Sequence, residues 1–233
     1  MMILMLTIYH FDMNKYKNKI INGDCLEVMK EMEDDSINLV LTDIPYGEVN
    51  RKSNGLRNLN KEDADIVNFD LENLISEFIR ISRGSVYVFC GIEQVSSIRK
   101  KMVDKGLSTR LIIWSKTNPS PMNGQYIWLS SVECCVYGKK PGATFNEHCK
   151  GTVLEYPCGR SKKHPTQKPL DMFKYLIETS SNKGDIVLDP FLGSGTTAVA
   201  SKELGRDYIG IELSEKYCEI ARERVKSVQP NLL

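Results

Sequence analysis

No apolar run in the 233-residue chain approaches the roughly 20 residues of a bilayer span, so no membrane helix is expected. The N-terminal MMILMLTIYHF is greasy but short. It lacks a basic lead-in and a small-residue cleavage site, and so does not read as a signal peptide. Met13 is an alternative start, which would make residues 1–12 a dispensable tail. No C-x-x-C pair occurs among the seven cysteines, an odd count set mostly in apolar runs such as VYVFC and VECCVY. Free thiols in a reducing cytoplasm are the simplest reading. Charge of one sign is not in excess either: the net value is +1, so any nucleic-acid surface must be local. Repeats, low-complexity tracts and linkers are missing, as are nuclease and helicase motifs, so cleavage of nucleic acid is not expected.

What remains is an ordinary globular composition, 41% apolar and 26% charged, long enough for one domain spanning 1–233. Strand-like runs alternate with helical periodicity: NKIIN, DCLEVMKEM, INLVLTD, LENLISEFIRIS, SVYVFCG, then a polar helix from Glu93 to Lys105. LIIWSK and VECCVYGK follow with no helix between them. The chain closes with DMFKYLIETS, IVLDP, a helix from about Thr196, YIGIE and a last helix from Glu215. The alternation predicts an α/β fold with about seven strands, mostly parallel, and an antiparallel hairpin at one edge. Two long segments, about 48–68 and 141–163, break the pattern. Loops of that length in a compact domain are usually functional.

The cofactor signal is Asp189-Pro190-Phe191-Leu192-Gly193-Ser194-Gly195-Thr196-Thr197-Ala198, which leaves a strand and opens a helix. Its glycines permit a tight turn and close backbone approach to a ligand. Glu212 lies 23 residues past Asp189, at the end of the next strand, where a carboxylate can hold ribose hydroxyls. No lysine follows the second glycine, which rules out a P-loop. The surroundings are acidic: Asp24, Asp43, Asp189 and Glu212. Carboxylates repel a pyrophosphate and attract a sulfonium and an amino group, so S-adenosylmethionine fits better than NAD.

TDIPYG before DPFLGSGTT, with HPTQKP (His164 to Pro169) just upstream of the latter, resembles the amino-methyltransferases of DNA. The resemblance is to the class in which the catalytic tetrapeptide precedes the cofactor loop, and it runs from Asp24 to Glu212. WSKTNPSP and VECCVYGK, with Glu133, sit where that class has similar segments. The resemblance implies a Rossmann-like, S-adenosylmethionine-dependent methyltransferase fold in circularly permuted motif order. It places Asp24 on the cofactor adenine, Glu212 on the ribose, Phe191 to Thr197 around the methionine moiety, and Thr166 and Lys168 at its carboxylate. The substrate implied is double-stranded DNA with the target base flipped out.

The same residues make chemical sense. A base amino group is a poor nucleophile because its lone pair is delocalised into the ring. Acceptors aimed at its two N–H bonds favour the pyramidal geometry needed for attack. The Asp43 carboxylate supplies one and the Ile44 carbonyl the other. Pro45 holds Ile44 extended, and Tyr46 offers a face for the flipped base. The family pattern usually has proline where Ile44 stands. Ile44 keeps the carbonyl and adds an N–H that needs a partner. Aspartate at position 43 accompanies adenine in the resembling enzymes, which makes N6-methyladenine the expected product and N4-methylcytosine the alternative. A binding module without chemistry is the rival of another class, but it has no need of an acid beside a rigid carbonyl.

For DNA contacts, Arg51, Lys52, Asn54, Arg57 and Asn58 in the first long segment and Arg160, Lys162 and Lys163 in the second are the candidates. A recognition region this small points to a short target, a dimer or loose specificity. A separate restriction endonuclease is an open partner. Pro157-Cys158 resembles the nucleophile of cytosine C5 methylation but lies in a loop. His148, Cys149, Cys158 and His164 match no zinc spacing, so no metal is expected.

Overall fold

The computed structural model describes residues 13–45, 70–121, 124–159 and 168–228. Its strands are β1 (Lys19–Asn22), β2 (Ile37–Asp43), β3 (Ser82–Cys90), β4 (Ser108–Lys116), β5 (Val132–Lys139), β6 (Val153–Tyr156), β7 (Ile186–Asp189) and β8 (Asp207–Glu212). The helices are α1 (Cys25–Lys30), α2 (Leu71–Ile81), α3 (Val95–Asp104), α4 (Leu170–Ser180), α5 (Thr196–Glu203) and α6 (Glu215–Ser227). The strands form one eight-stranded sheet in the order β1-β8-β7-β2-β3-β5-β4-β6. β5 runs against both of its neighbours, β3 and β4, and the other pairings are parallel.

Successive strand residues point to opposite faces, and the sequence supplies apolar side chains for both. Val40, Val86, Val88 and Leu188 meet Leu74, Phe78, Ile98 and Met102 of α2 and α3 on one face. Leu39, Leu41, Tyr87, Phe89 and Trp114 meet Met172, Phe173, Leu176 and Ile177 of α4 on the other. α5 and α6 cover the β8 side through Val199, Cys218, Ala221 and Val225. Asp70 starts α2 by accepting hydrogen bonds from the backbone N–H groups of Glu72 and Asn73. Gly84 fits an irregularity in the β2–β3 register, where a Cβ would lie 1.9 Å from the Asn38 carbonyl oxygen.

The strand count is eight where the sequence pattern predicted about seven. The added strand is β6, a four-residue edge element parallel to β4. It also displaces the antiparallel pair from the edge: the β4–β5 hairpin lies one strand in. β6 sits inside the segment 141–163, which by its sequence alone reads as one loop. That segment divides at the strand. β5 is reversed, so the chain leaves it at the amino edge of the sheet, where the Lys140 N–H donates to the Gly84 carbonyl. There the Asn146 side chain donates to the carbonyls of Glu178 and Ser181, at the end of α4. β6 then carries the chain back to the opposite edge.

All seven cysteines are free thiols, five of them buried. Among the described residues no helix is long and apolar enough to cross a membrane. No group of histidine, cysteine and acidic side chains among those residues is arranged to hold a metal ion.

Candidate active site

The parallel strands deliver their carboxyl ends to one edge: Asn22, Glu212, Asp189, Asp43, Cys90, Lys116 and Tyr156. Reversed β5 adds its amino end, with Glu133. Ligands of open α/β sheets bind outside this edge, and among the described residues Asp24, Asp43, Lys168, Asp189 and Glu212 collect there.

Asp43 is the last residue of β2, paired in register with Phe89. The next residue continues the ladder, its Ile44 N–H donating to the Phe89 carbonyl at 3.1 Å. The extra donor that isoleucine brings is therefore satisfied, and its side chain is buried in the main core. The Pro45 carbonyl accepts from Gln94 Nε2 at 3.2 Å, and Gln94 Oε1 accepts from the Gly91 N–H at 3.0 Å. The turn after β2 is thus tied to the turn after β3.

A chain of alternating charges runs from Asp43 across the sheet edge. Lys168 Nζ donates to Asp43 Oδ2 at 2.6 Å and lies 2.8 Å from Glu133 Oε2. Lys116 Nζ lies 2.9 Å from Glu133 Oε1. The Lys168 ammonium stands 5.5 Å from the Phe89 ring centre and 6.0 Å from that of Trp114. Burial pushes the Asp43 carboxyl above its ordinary range, with Lys168 as the main opposing influence. Burial pushes Glu133 up as well, but the two ammonium groups outweigh it and hold this carboxyl below its usual range.

The cofactor loop follows β7. Asp189 Oδ1 accepts from the Phe191 N–H at 3.1 Å, and Oδ2 accepts from the Thr197 hydroxyl at 2.5 Å. Burial lifts the Asp189 carboxyl to about 7. Glu212 at the end of β8 holds the loop, Oε2 accepting from the Gly193 N–H at 2.8 Å and Oε1 from the Ser214 N–H at 2.9 Å. Gly193 and Gly195 have φ of 53° and 89°, backbone that glycine adopts without strain. A Cβ on Gly195 would lie 2.8 Å from the Ala221 Cβ, whereas one on Gly193 would meet nothing within 4 Å. Gly195 lets α6 approach, and Gly193 borders open space where a ligand can lie against backbone.

Other assigned residues serve the loop itself. The Ser194 hydroxyl accepts from Arg224, and Thr196 and Thr197 are buried at the start of α5. Asp24 caps α1 through the N–H groups of Leu26 and Glu27. It follows Gly23, whose N–H donates to the Glu212 carbonyl, so Asp24 and Glu212 share one end of the site. Lys168 stands with Asp43, at the opposite end from Glu212. Tyr46, Arg51, Lys52, Asn54, Arg57, Asn58, Arg160, Lys162, Lys163, His164 and Thr166 lie outside the described residues.

Sequence reading assigned no role to Gln94, Lys116 or Glu133. The last two had a signal: β4 and β5 pair with Trp114 opposite Glu133, which brings Lys116 beside that carboxylate.

An eight-stranded sheet with one reversed strand, a glycine turn clamped by a distal acid, and a second acid beside a rigid carbonyl define the Rossmann-like methyltransferase class that acts on amino groups. The comparisons narrow the class. A family model described as DNA methylase, of the N6 and N4 type, matches residues 126–223. The type II methyltransferase M.HinfI of Haemophilus influenzae is 33% identical over 94% of this chain and 71% of its own length. The type II methyltransferase M2.DpnII of Streptococcus pneumoniae is 27% identical over 92% of this chain and 91% of its own. Among solved structures, M1.HpyAVI in complex with S-adenosylmethionine superposes with a TM-score of 0.68 at 28% identity, over 89% of this chain and 98% of that one. The chain belongs to the DNA methylase family of N6 and N4 amino-methyltransferases.

Proposed function

We propose that the protein methylates the N6 amino group of adenine in double-stranded DNA, with S-adenosylmethionine as the donor. The observation that carries this reading is the placement of Asp43 and Ile44 at the end of β2 directly beside the β7 loop, since β2 and β7 are neighbouring strands. The residues present fit the cofactor. Gly193 opens the backbone to a ligand, Glu212 stands beside it at the end of β8, and the Asp24 acid at that same end favours a cation. When bound, the cofactor supplies an electrophilic methyl group. The chain's own residues position the base: the Asp43 carboxylate and the Ile44 carbonyl accept the two amino N–H bonds and turn the nitrogen lone pair outward. The carboxylate, a charged acceptor, strengthens this bond as positive charge develops on nitrogen. Aspartate at position 43, which accompanies adenine in the resembling enzymes, favours adenine, and Tyr46 is the stacking face for the flipped base.

DNA engages through 48–68 and through the part of 141–163 that follows β6, because 141–152 lies at the other edge of the sheet. The type II names of the two curated relatives support a restriction-modification setting with a separate endonuclease. The deciding experiment is nucleoside mass spectrometry of DNA from cells expressing the protein, beside an Asp43→Ala control. N6-methyladenine from the wild type alone is expected, with the control retaining cofactor affinity because the lost interaction is made mainly in the transition state. N4-methylcytosine without N6-methyladenine would overturn the choice of base.

A further inference from the structure

The two oxygens of the Asp43 carboxylate live in different surroundings. Oδ2 accepts from Lys168, while Oδ1 is buried with no hydrogen-bond partner among the described residues. No backbone N–H or hydroxyl among those residues shares the charge, so its one hydrogen-bonded countercharge is the Lys168 ammonium. Lys168 is in turn built in. Its side chain is 8% exposed, and a buried ammonium is costly unless it is paired. It is paired with Asp43 and Glu133, and the rings of Phe89 and Trp114 flank it. Glu133 is itself held by Lys116. Contacts from β2, β3, β4 and β5 therefore fix one nitrogen at the point where the catalytic carboxylate needs a countercharge. A lysine serving only a ligand's carboxylate has no need of this framework.

We propose that Lys168 is a positioning residue for methyl transfer: clamped by Glu133, it sets the orientation of the Asp43 carboxylate and supplies its countercharge. This rests on Asp43 being the acceptor of the target amino group. Oδ2 accepts more than one hydrogen bond, so the ammonium and the base amino group can share it. An ionised, oriented acceptor is stronger than a neutral one. The charged and titratable groups facing Asp43 are Lys168 ahead of α4, Glu133 and Cys135 on β5, Lys116 on β4, Cys90 on β3 and Asp189 on β7. Burial and Glu133 favour the neutral acid, and Lys168 and Lys116 oppose them.

The test is the single-turnover methylation rate against pH for the wild type, Lys168→Gln, Lys168→Arg, Glu133→Gln and Asp43→Asn, with cofactor affinity measured by calorimetry. Lys168→Gln is expected to lower the plateau rate about tenfold or more and to move the acid limb upward by about 1–3 pH units, the shift an ammonium at this range exerts. Its cofactor affinity stays within about threefold of the wild type, and Lys168→Arg restores most of the limb. Glu133→Gln removes a negative charge facing Asp43 and moves the limb the other way, to lower pH. That variant decides the matter should Lys168→Gln fail to fold. An unmoved limb in the folded variants, or cofactor affinity lost by about tenfold with the limb unmoved, overturns the proposal and returns Lys168 to the cofactor. An active Asp43→Asn protein would instead overturn the reading of Asp43 on which the proposal stands.

Discussion

Ile44 sits where proline is usual, and hydrogen-bond accounting explains why it is tolerated. Its N–H extends the ladder to Phe89 and its side chain fills the core, and its carbonyl is the acceptor proposed for the base. Sequence reading located the missing partner as a problem; only the strand register supplied the answer. Asp189 shows the opposite limit. Its place in the glycine loop was legible from DPFLGSGTT, but its burial was not, and burial gives it a pH signature. Folded, it titrates at about 7; unfolded, it returns to about 3.9. Between those values the folded state binds more protons, so this group's contribution to stability is complete below about pH 4 and is lost as pH rises to about 7. Asp189→Asn removes the titration at the cost of a hydrogen bond. Urea denaturation should show the variant gaining on the wild type between pH 5 and 8, by on the order of 1–3 kcal/mol. A constant difference across that range would contradict the buried, neutral acid.

Most elements announced themselves through periodicity. The parallel strands read as nearly continuous apolar runs because helices cover both faces. β6 did not, since VLEY is short, lies at the sheet edge and has no fully buried residue. The reversal of β5 was expected from the missing helix between β4 and β5. Its consequence for the following segment is not legible along the chain, because the edge at which a chain emerges is a property of the assembled sheet. At this scale the two glycines of the cofactor turn separate by role. Gly195→Ala forces a methyl group against Ala221 as well as a left-handed backbone, and should cost about 2–4 kcal/mol of stability by denaturant titration. Gly193→Ala has only the backbone penalty, about 1–2 kcal/mol, and should fold while binding S-adenosylmethionine at least about tenfold more weakly by calorimetry. Equal effects of the two substitutions on folding and on affinity would contradict this division.

The whole molecule carries almost no net charge, so its hold on DNA must come from a few local cations. Replacing Arg51 and Arg57 together by alanine should lower DNA affinity and flatten the plot of log affinity against log salt by about 1–2 in slope, the release expected for one or two phosphates. An unchanged slope would remove the first long segment from the interface. The distances that matter most were invisible along the chain: Lys168 reaches Asp43 across 125 positions, and Asn22 reaches Glu212 across 190. The same topology governs how the protein is made. β8 and β7 occupy the space between β1 and β2, so the last two strands to be synthesised insert between the first two. On the ribosome the early strands must wait with open edges until Glu212 has cleared the exit tunnel. A stalled or truncated chain holds Asp43 without Asp189 at its side, and it presents bare strand edges that chaperones recognise. A premature stop before β7 leaves these edges of β1 and β2 bare and removes Asp189, so an aggregation-prone fragment rather than a weakly active enzyme is expected.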